Sequence, residues 1–143
     1  MSASAPVVLV TGAARRIGAA IVRRLHADGY AVALHCNHSR GAADVLAVEL
    51  DAQRAGSVHV LQGDLADAAV LPKLVQGSVA HFGRLDALVN NAAAFAPTAF
   101  DATDGDAFDA LMATNARAPF LLAQAAAPHL RASRGAIVNI GDL

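Results

Sequence analysis

Five short runs of β-branched and aliphatic residues, each separated from the next by a longer helical stretch, constrain this sequence more than any other feature. They fall at Val7–Val10 and at residues 31–35, 58–61, 85–89 and 136–140. Unbroken apolar runs of this length mark strands buried on both faces. Strands separated by helices cannot pair as hairpins, so they pair in parallel through right-handed crossovers. The expected architecture is a doubly wound α/β sheet of five strands, with helices on both faces in three layers. That arrangement accounts for a composition of 55 % hydrophobic and only 16 % charged residues, because such strands are wet on neither face.

The intervening stretches read as helices. Ile17, Ile21 and Leu25 recur at helical spacing before Gly29, and residues 41–54 bring Val45 and Leu46 to Leu50. Residues 69–82 set Val70, Leu74, Val75, Val79 and Phe82 on one face, and one long helix is expected from about 105 to about 130. With 143 residues and no linker or short repeat, residues 1–143 read as a single domain. A net charge of −1 offers no footprint for nucleic acid. The lone Cys36 cannot close an internal disulfide, which points to a reducing, cytoplasmic setting. The first residues lack the basic start and apolar run of a signal peptide, and no apolar stretch is long enough to span a bilayer, so no membrane partner is expected.

Several loops at strand ends carry chemistry. Thr11-Gly12-Ala13-Ala14-Arg15-Arg16-Ile17-Gly18 joins the first strand to the first helix. A glycine turn there exposes main-chain N–H groups and a positive helix end to a pyrophosphate; the plain alternative is a glycine turn with surface arginines. The second strand ends in His35-Cys36-Asn37-His38-Ser39-Arg40, without the carboxylate that usually accepts from an NAD ribose. A 2′-phosphate, which needs donors, therefore favours NADPH, with Asn37, His38, Ser39 and Arg40 supplying them. His35, Cys36 and His38 also suggest metal ligands, but no further Cys/His pair at ligand spacing completes a site, and no metal is expected. Asp64 suits either a ligand contact or an N-cap. Pro119 lacks the N–H that would bond the carbonyl of Asn115, which either frees that carbonyl or simply kinks the helix. Phe95 suits stacking on a flat ring or ordinary core packing. Asp142, at the carboxyl end of the fifth strand, is placed for acid chemistry or for solvation.

From Val7 to Asp142 these motifs, in order and spacing, resemble the short-chain dehydrogenase/reductase family, whose phosphate loop reads T-G-x-x-x-G-x-G on a Rossmann-type fold. One position departs: Arg16 replaces the middle glycine. The pair Arg15-Arg16, the His-rich turn ending in Ser39, the sequence Asn90-Asn91-Ala92-Ala93 with Phe95, and Asp142 look like the pteridine reductases. The resemblance implies cofactor contacts from Gly12, Arg15, Arg16, Ile17, Gly18, His35, Asn37, His38, Ser39, Asp64, Leu65, Asn91, Ala92 and Ala93. It implies substrate contacts from Arg16, Phe95 and Asp142, with Phe95 stacking on a pterin opposite the nicotinamide. Asn115 would hold the water of a proton relay through its main-chain carbonyl, and Asp142 would take part in protonation. The implied reaction is hydride transfer from NADPH to a pterin or dihydrofolate, in a homo-tetramer. The alternatives are a short-chain reductase for another carbonyl substrate, or a non-catalytic nucleotide-binding piece. The family's Tyr-x-x-x-Lys pair is absent, since the only tyrosine is Tyr30 and the only lysine Lys73. The expectation is a chain that ends before that pair, catalytically incomplete by itself.

Overall fold

The computed structural model describes residues 5–141; Asp142 lies outside them. The strands are β1 Val7–Val10, β2 Ala31–Cys36, β3 Val58–Gln62, β4 Ala87–Asn90 and β5 Ala136–Asn139, all parallel in the order β3-β2-β1-β4-β5. The helices are α1 Arg16–Ala27, α2 Arg40–Asp51, α3 Leu71–Phe82, α4 Gly105–Met112 and α5 Ala118–Ser133. The doubly wound sheet expected from the sequence is the sheet observed.

Alternation along β1 divides the core. Val7 and Leu9 face α3 and α5 with Leu71, Leu74, Leu88 and Leu122, while Val8 and Val10 face α1 and α2 with Val22, Leu46 and Leu50. The expected helix faces need correction in α1 and α2, while the expected α3 face does pack on the core. In α1 the buried row is Gly18, Ala19, Val22 and His26, one residue on from the expected row, and Ile17 is 62 % exposed. In α2 the buried row is Ala43, Leu46 and Leu50, and Val45 points to solvent. In α3, Leu71, Leu74, Val75 and Ser78 are buried, with Val70, Val79 and Phe82 on the flank. The α1 shift has a cause: a Cβ on Gly18 would stand 2.1 Å from the carbonyl oxygen of Gly12, so the helix turns its one bare position toward the loop.

The long helix is also interrupted. Residues Ala113–Arg117 form a π-helical turn between α4 and α5. Pro119, the second residue of α5, can donate neither to Asn115 in the α register nor to Thr114 in the π register. No helix among the described residues is long and apolar enough to cross a membrane.

Candidate functional site

The chain turns back at β1, with β2 and β3 on one side and β4 and β5 on the other, so a crevice opens at the carboxyl ends of β1 and β4. Thr11 and Asn91 close its floor. The Thr11 hydroxyl accepts from the N–H of Asn91 at 3.0 Å and of Ala92 at 3.1 Å. The Asn91 amide donates to the carbonyls of Thr11 at 3.0 Å and Gly12 at 3.1 Å. Gly12 has φ +59°, and a Cβ there would stand 2.9 Å from the Cα of Ala92. Only glycine lets the two loops meet this closely.

A first cleft of about 560 Å3 lies over this floor. It is lined by the phosphate loop (Gly12, Arg15, Arg16), the β2 exit (His35, Asn37, His38, Ser39), the β3 exit (Asp64, Leu65) and the β4 exit (Asn91, Ala92, Ala93). Twelve of the fourteen residues named from sequence as cofactor contacts are therefore brought together. Ile17 and Gly18 are not among the lining residues: the Ile17 side chain faces solvent and Gly18 lies beneath the loop. Their position in the first turn of α1 leaves them only main-chain N–H groups to offer.

Two helix N-termini adjoin this cleft. Neither α1, beginning after Arg15, nor α2, beginning after Ser39, has a side-chain cap, and neither carries an acid in its first turn. Uncapped N–H groups and the positive ends of two helix dipoles make this a cleft for anions. Arg16 lies in the left-handed region at φ +49°, a conformation that costs a non-glycine residue roughly 1–2 kcal/mol. The backbone thus keeps a glycine's geometry and carries a guanidinium on it. Arg40, by contrast, is turned away onto Asp44 at 2.8 Å and does not line the cleft. Asp64 bonds the N–H of Ala66 at 2.9 Å, a local turn one step ahead of α3, so it is a cleft residue and not the cap of that helix.

His35 is 1 % exposed, and both ring nitrogens contact the main chain, Nδ1 with the N–H of Gly12 and Nε2 with the carbonyl of Gly63. Burial pushes its pKa down, against the Gly63 hydrogen bond and the charge of Asp64. It lines the cleft with its nitrogens already engaged.

A second cleft of about 740 Å3 shares Ala92, Ala93 and Ala94 with the first. Its walls include Phe95, Asn115, Pro119, Phe120, Asn139 and Ile140. Phe95 is 91 % exposed, so it is not core. Arg16 lines the first cleft and not this one. The Asn115 amide donates to the carbonyl of Ala94 at 2.7 Å and accepts from its N–H at 2.8 Å. Its side chain therefore splints the β4 exit loop. Asn90, 4 % exposed, donates to Asn139 Oδ1 at 2.8 Å and so ties the ends of β4 and β5 beneath the cleft. Sequence reasoning missed Thr11, Asn139 and Phe120. Thr11 was visible as a polar β-branched residue ending an apolar strand, and Phe120 as an aromatic beside a helix proline. Among the described residues neither cleft is lined by a tyrosine or lysine.

A parallel sheet with a ligand cleft at its switch point defines a doubly wound, Rossmann-type α/β protein. The chain belongs to the short chain dehydrogenase family, which matches it over residues 6–142. It is 36 % identical to pteridine reductase 1 of Leishmania tarentolae, an alignment that covers 99 % of this chain and 62 % of that protein. It is 38 % identical to L-fucose dehydrogenase of Mus musculus, covering 98 % and 50 %. A solved structure of a mutant Serratia marcescens short-chain dehydrogenase/reductase superposes with a TM-score of 0.90 at 38 % identity, covering 96 % of this chain and 55 % of that one. The chain thus spans about half to three fifths of the length of these relatives.

Proposed function

We propose that this chain forms the cofactor half of an NADPH-dependent oxidoreductase that reduces pterins or dihydrofolate. The observation that carries the reading is the meeting of two clefts at Ala92–Ala93–Ala94, with anion-binding helix ends on one side and the unburied ring of Phe95 on the other. The donor set fits NADPH. The α1 terminus with Arg15 and Arg16 suits a pyrophosphate, and the α2 terminus with Asn37, His38 and Ser39 suits a 2′-phosphate. No carboxylate stands at the end of β2 to accept from a ribose or repel that phosphate. The small residues 92–94 leave room for a ring at the junction of the clefts.

When bound, NADPH supplies the hydride. This chain's residues bind and orient: Asn91 and Thr11 fix the floor, the Asn115 amide holds the loop of residues 92–94, and Phe95 presents a face for offset stacking on a flat heteroaromatic substrate. In this reading the Asn115 main-chain carbonyl is left for the relay water, Asp142 takes part in ring protonation, and the acid–lysine pair comes from outside the described residues. The intact enzyme would be tetrameric, as the family resemblance implies, and cytoplasmic, as the lone Cys36 suggests.

Nicotinamide fluorescence titration tests the cofactor. NADPH is expected to bind at least about tenfold tighter than NADH, the worth of one or two charge-assisted hydrogen bonds. Equal or tighter NADH binding overturns the NADPH assignment. Binding of biopterin in the presence of NADPH, lost in Phe95→Ala, tests the substrate class. Binding unaffected by that change overturns the stacking role, and preference for a sugar or acyl carbonyl overturns the pterin assignment.

A further inference from the structure

His35 stands where the exits of β1, β2 and β3 converge, and its contacts determine its chemical form. A main-chain N–H only donates and a carbonyl only accepts. The 3.2 Å contact from Gly12 N–H to Nδ1 and the 2.9 Å contact from Nε2 to the Gly63 carbonyl therefore fit one species, the neutral ring protonated at Nε2. The main chain of the same residue accepts from Ala13 N–H at 2.8 Å. The first two N–H groups of the glycine turn are thus taken up inside the protein. The donors left for an anion lie further on, in the uncapped first turn of α1.

We infer that His35 is a positioning residue whose neutral imidazole clasps the phosphate-loop turn to the β3 exit, and that protonating it releases the clasp and weakens nucleotide binding. The inference rests on the first cleft being the nucleotide site. A second ring proton at Nδ1 would face the Gly12 N–H donor to donor, so either the ring or the turn must move. Asp64, at the β3 exit, is the charged group that acts on the ring, and Arg15, Arg16, Cys36 and His38 are the other charged or titratable residues that line the same cleft. Asp64 favours the proton, and burial opposes it more strongly.

Two measurements test this. Nitrogen-15 NMR of the ligand-free chain, labelled at histidine, is expected to show His35 protonated at Nε2 and bare at Nδ1 at about pH 7.5, with the Gly12 amide resonance moving as His35 titrates. The opposite tautomer, or a Gly12 amide indifferent to that titration, overturns the clasp. NADH, which lacks the 2′-phosphate and its own titration, is expected to bind more weakly at pH ~5.5 than at pH ~7.5, by less than about tenfold because burial holds the ring below the ordinary histidine value. His35→Asn keeps an acceptor beside Gly12 and cannot titrate, so its affinity is expected to be lower and flat with pH. His38→Gln, whatever its affinity, is expected to keep the slope. A slope that survives in His35→Asn overturns the proposal. Failure of the native chain to bind NADH or NADPH at any pH overturns the nucleotide reading instead, and the NMR result then decides the clasp alone.

Discussion

β1 and β5 are built from the same kind of sequence, V-V-L-V and A-I-V-N, yet every residue of the first is buried and every residue of the second is exposed. Apolar content alone therefore does not set burial; the layers around a strand do. β1 has β2 and β4 as neighbours, with helices packed over both faces. β5 pairs only with β4, and among the described residues no helix covers the face that carries Val138. Among the described residues the β1–β3 side has its sheet covered on both faces, and the β5 side is open.

The largest expected effect breaks that comparison directly. Leu9, 0 % exposed in β1, is expected to lose about 2–5 kcal/mol on truncation to alanine, because both the transfer term and a cavity count against it. Ile137, 41 % exposed in β5, is expected to lose under about 1 kcal/mol on the same change. Urea unfolding of both variants measures the pair. Equal losses would mean that β5 is buried in solution by something that covers it.

Gly18→Ala tests the floor of the first cleft next. Its Cβ would fall 2.1 Å from Gly12 O and 2.7 Å from Asn91 Nδ2, both held in the loop–loop stitch. A cost of about 2–4 kcal/mol is expected, with nucleotide binding lost alongside it. A variant of unchanged midpoint would show that α1 can slide away from the loop.

The same contrast explains what the sequence made legible. The strands were readable because parallel strands covered on both faces write unbroken apolar runs; Gly12 and Ser39 were readable as lining of the first cleft because a glycine turn and polar donors follow strand ends, and Asn91 through the family resemblance. The α1 register was not, because Ile17, Ile21 and Leu25 satisfy helical spacing as well as Gly18, Val22 and His26 do. What decided between them was the close approach of Gly18 to Gly12, a tertiary contact. The π turn at Ala113–Arg117 was hidden for a related reason: a proline announces a break in hydrogen bonding without saying which register the helix adopts to absorb it. His35 looked like a ligand contact or a metal ligand, and only the positions of Gly12 and Gly63 show its nitrogens already in use.

Arg16→Gly sharpens the comparison with an effect of opposite sign. Releasing φ +49° from a side chain returns roughly 1–2 kcal/mol, part of which glycine's larger unfolded-state entropy offsets. A net stabilisation of up to about 1 kcal/mol is expected, together with weaker NADPH binding. Calorimetry and a fluorescence titration of the same variant read the two effects separately. A destabilised variant would mean that the Arg16 side chain packs well enough to outweigh the strain.

The gentlest test uses protons, and it again separates the two sides. The histidines with depressed pKa values, His26, His35 and His59, all lie on the β1–β3 half. Burial is the first cause in each, joined by the charge of Arg54 at His26 and by the stacked ring of His81 at His59. Above about pH 6.5, the ordinary histidine value, folded and unfolded chains are both neutral at these rings and stability does not change through them. Below it the unfolded chain takes up protons that the folded one resists, so stability falls as pH drops, until the folded rings titrate as well. Hydrogen exchange at about pH 7.5 and 5.5, corrected for intrinsic rates, is expected to show the amides of Gly12, Ser57 and Gly63 losing protection first, while those of β4 and α5 hold. Uniform loss across both halves would show that the open margin and the closed core unfold as one unit.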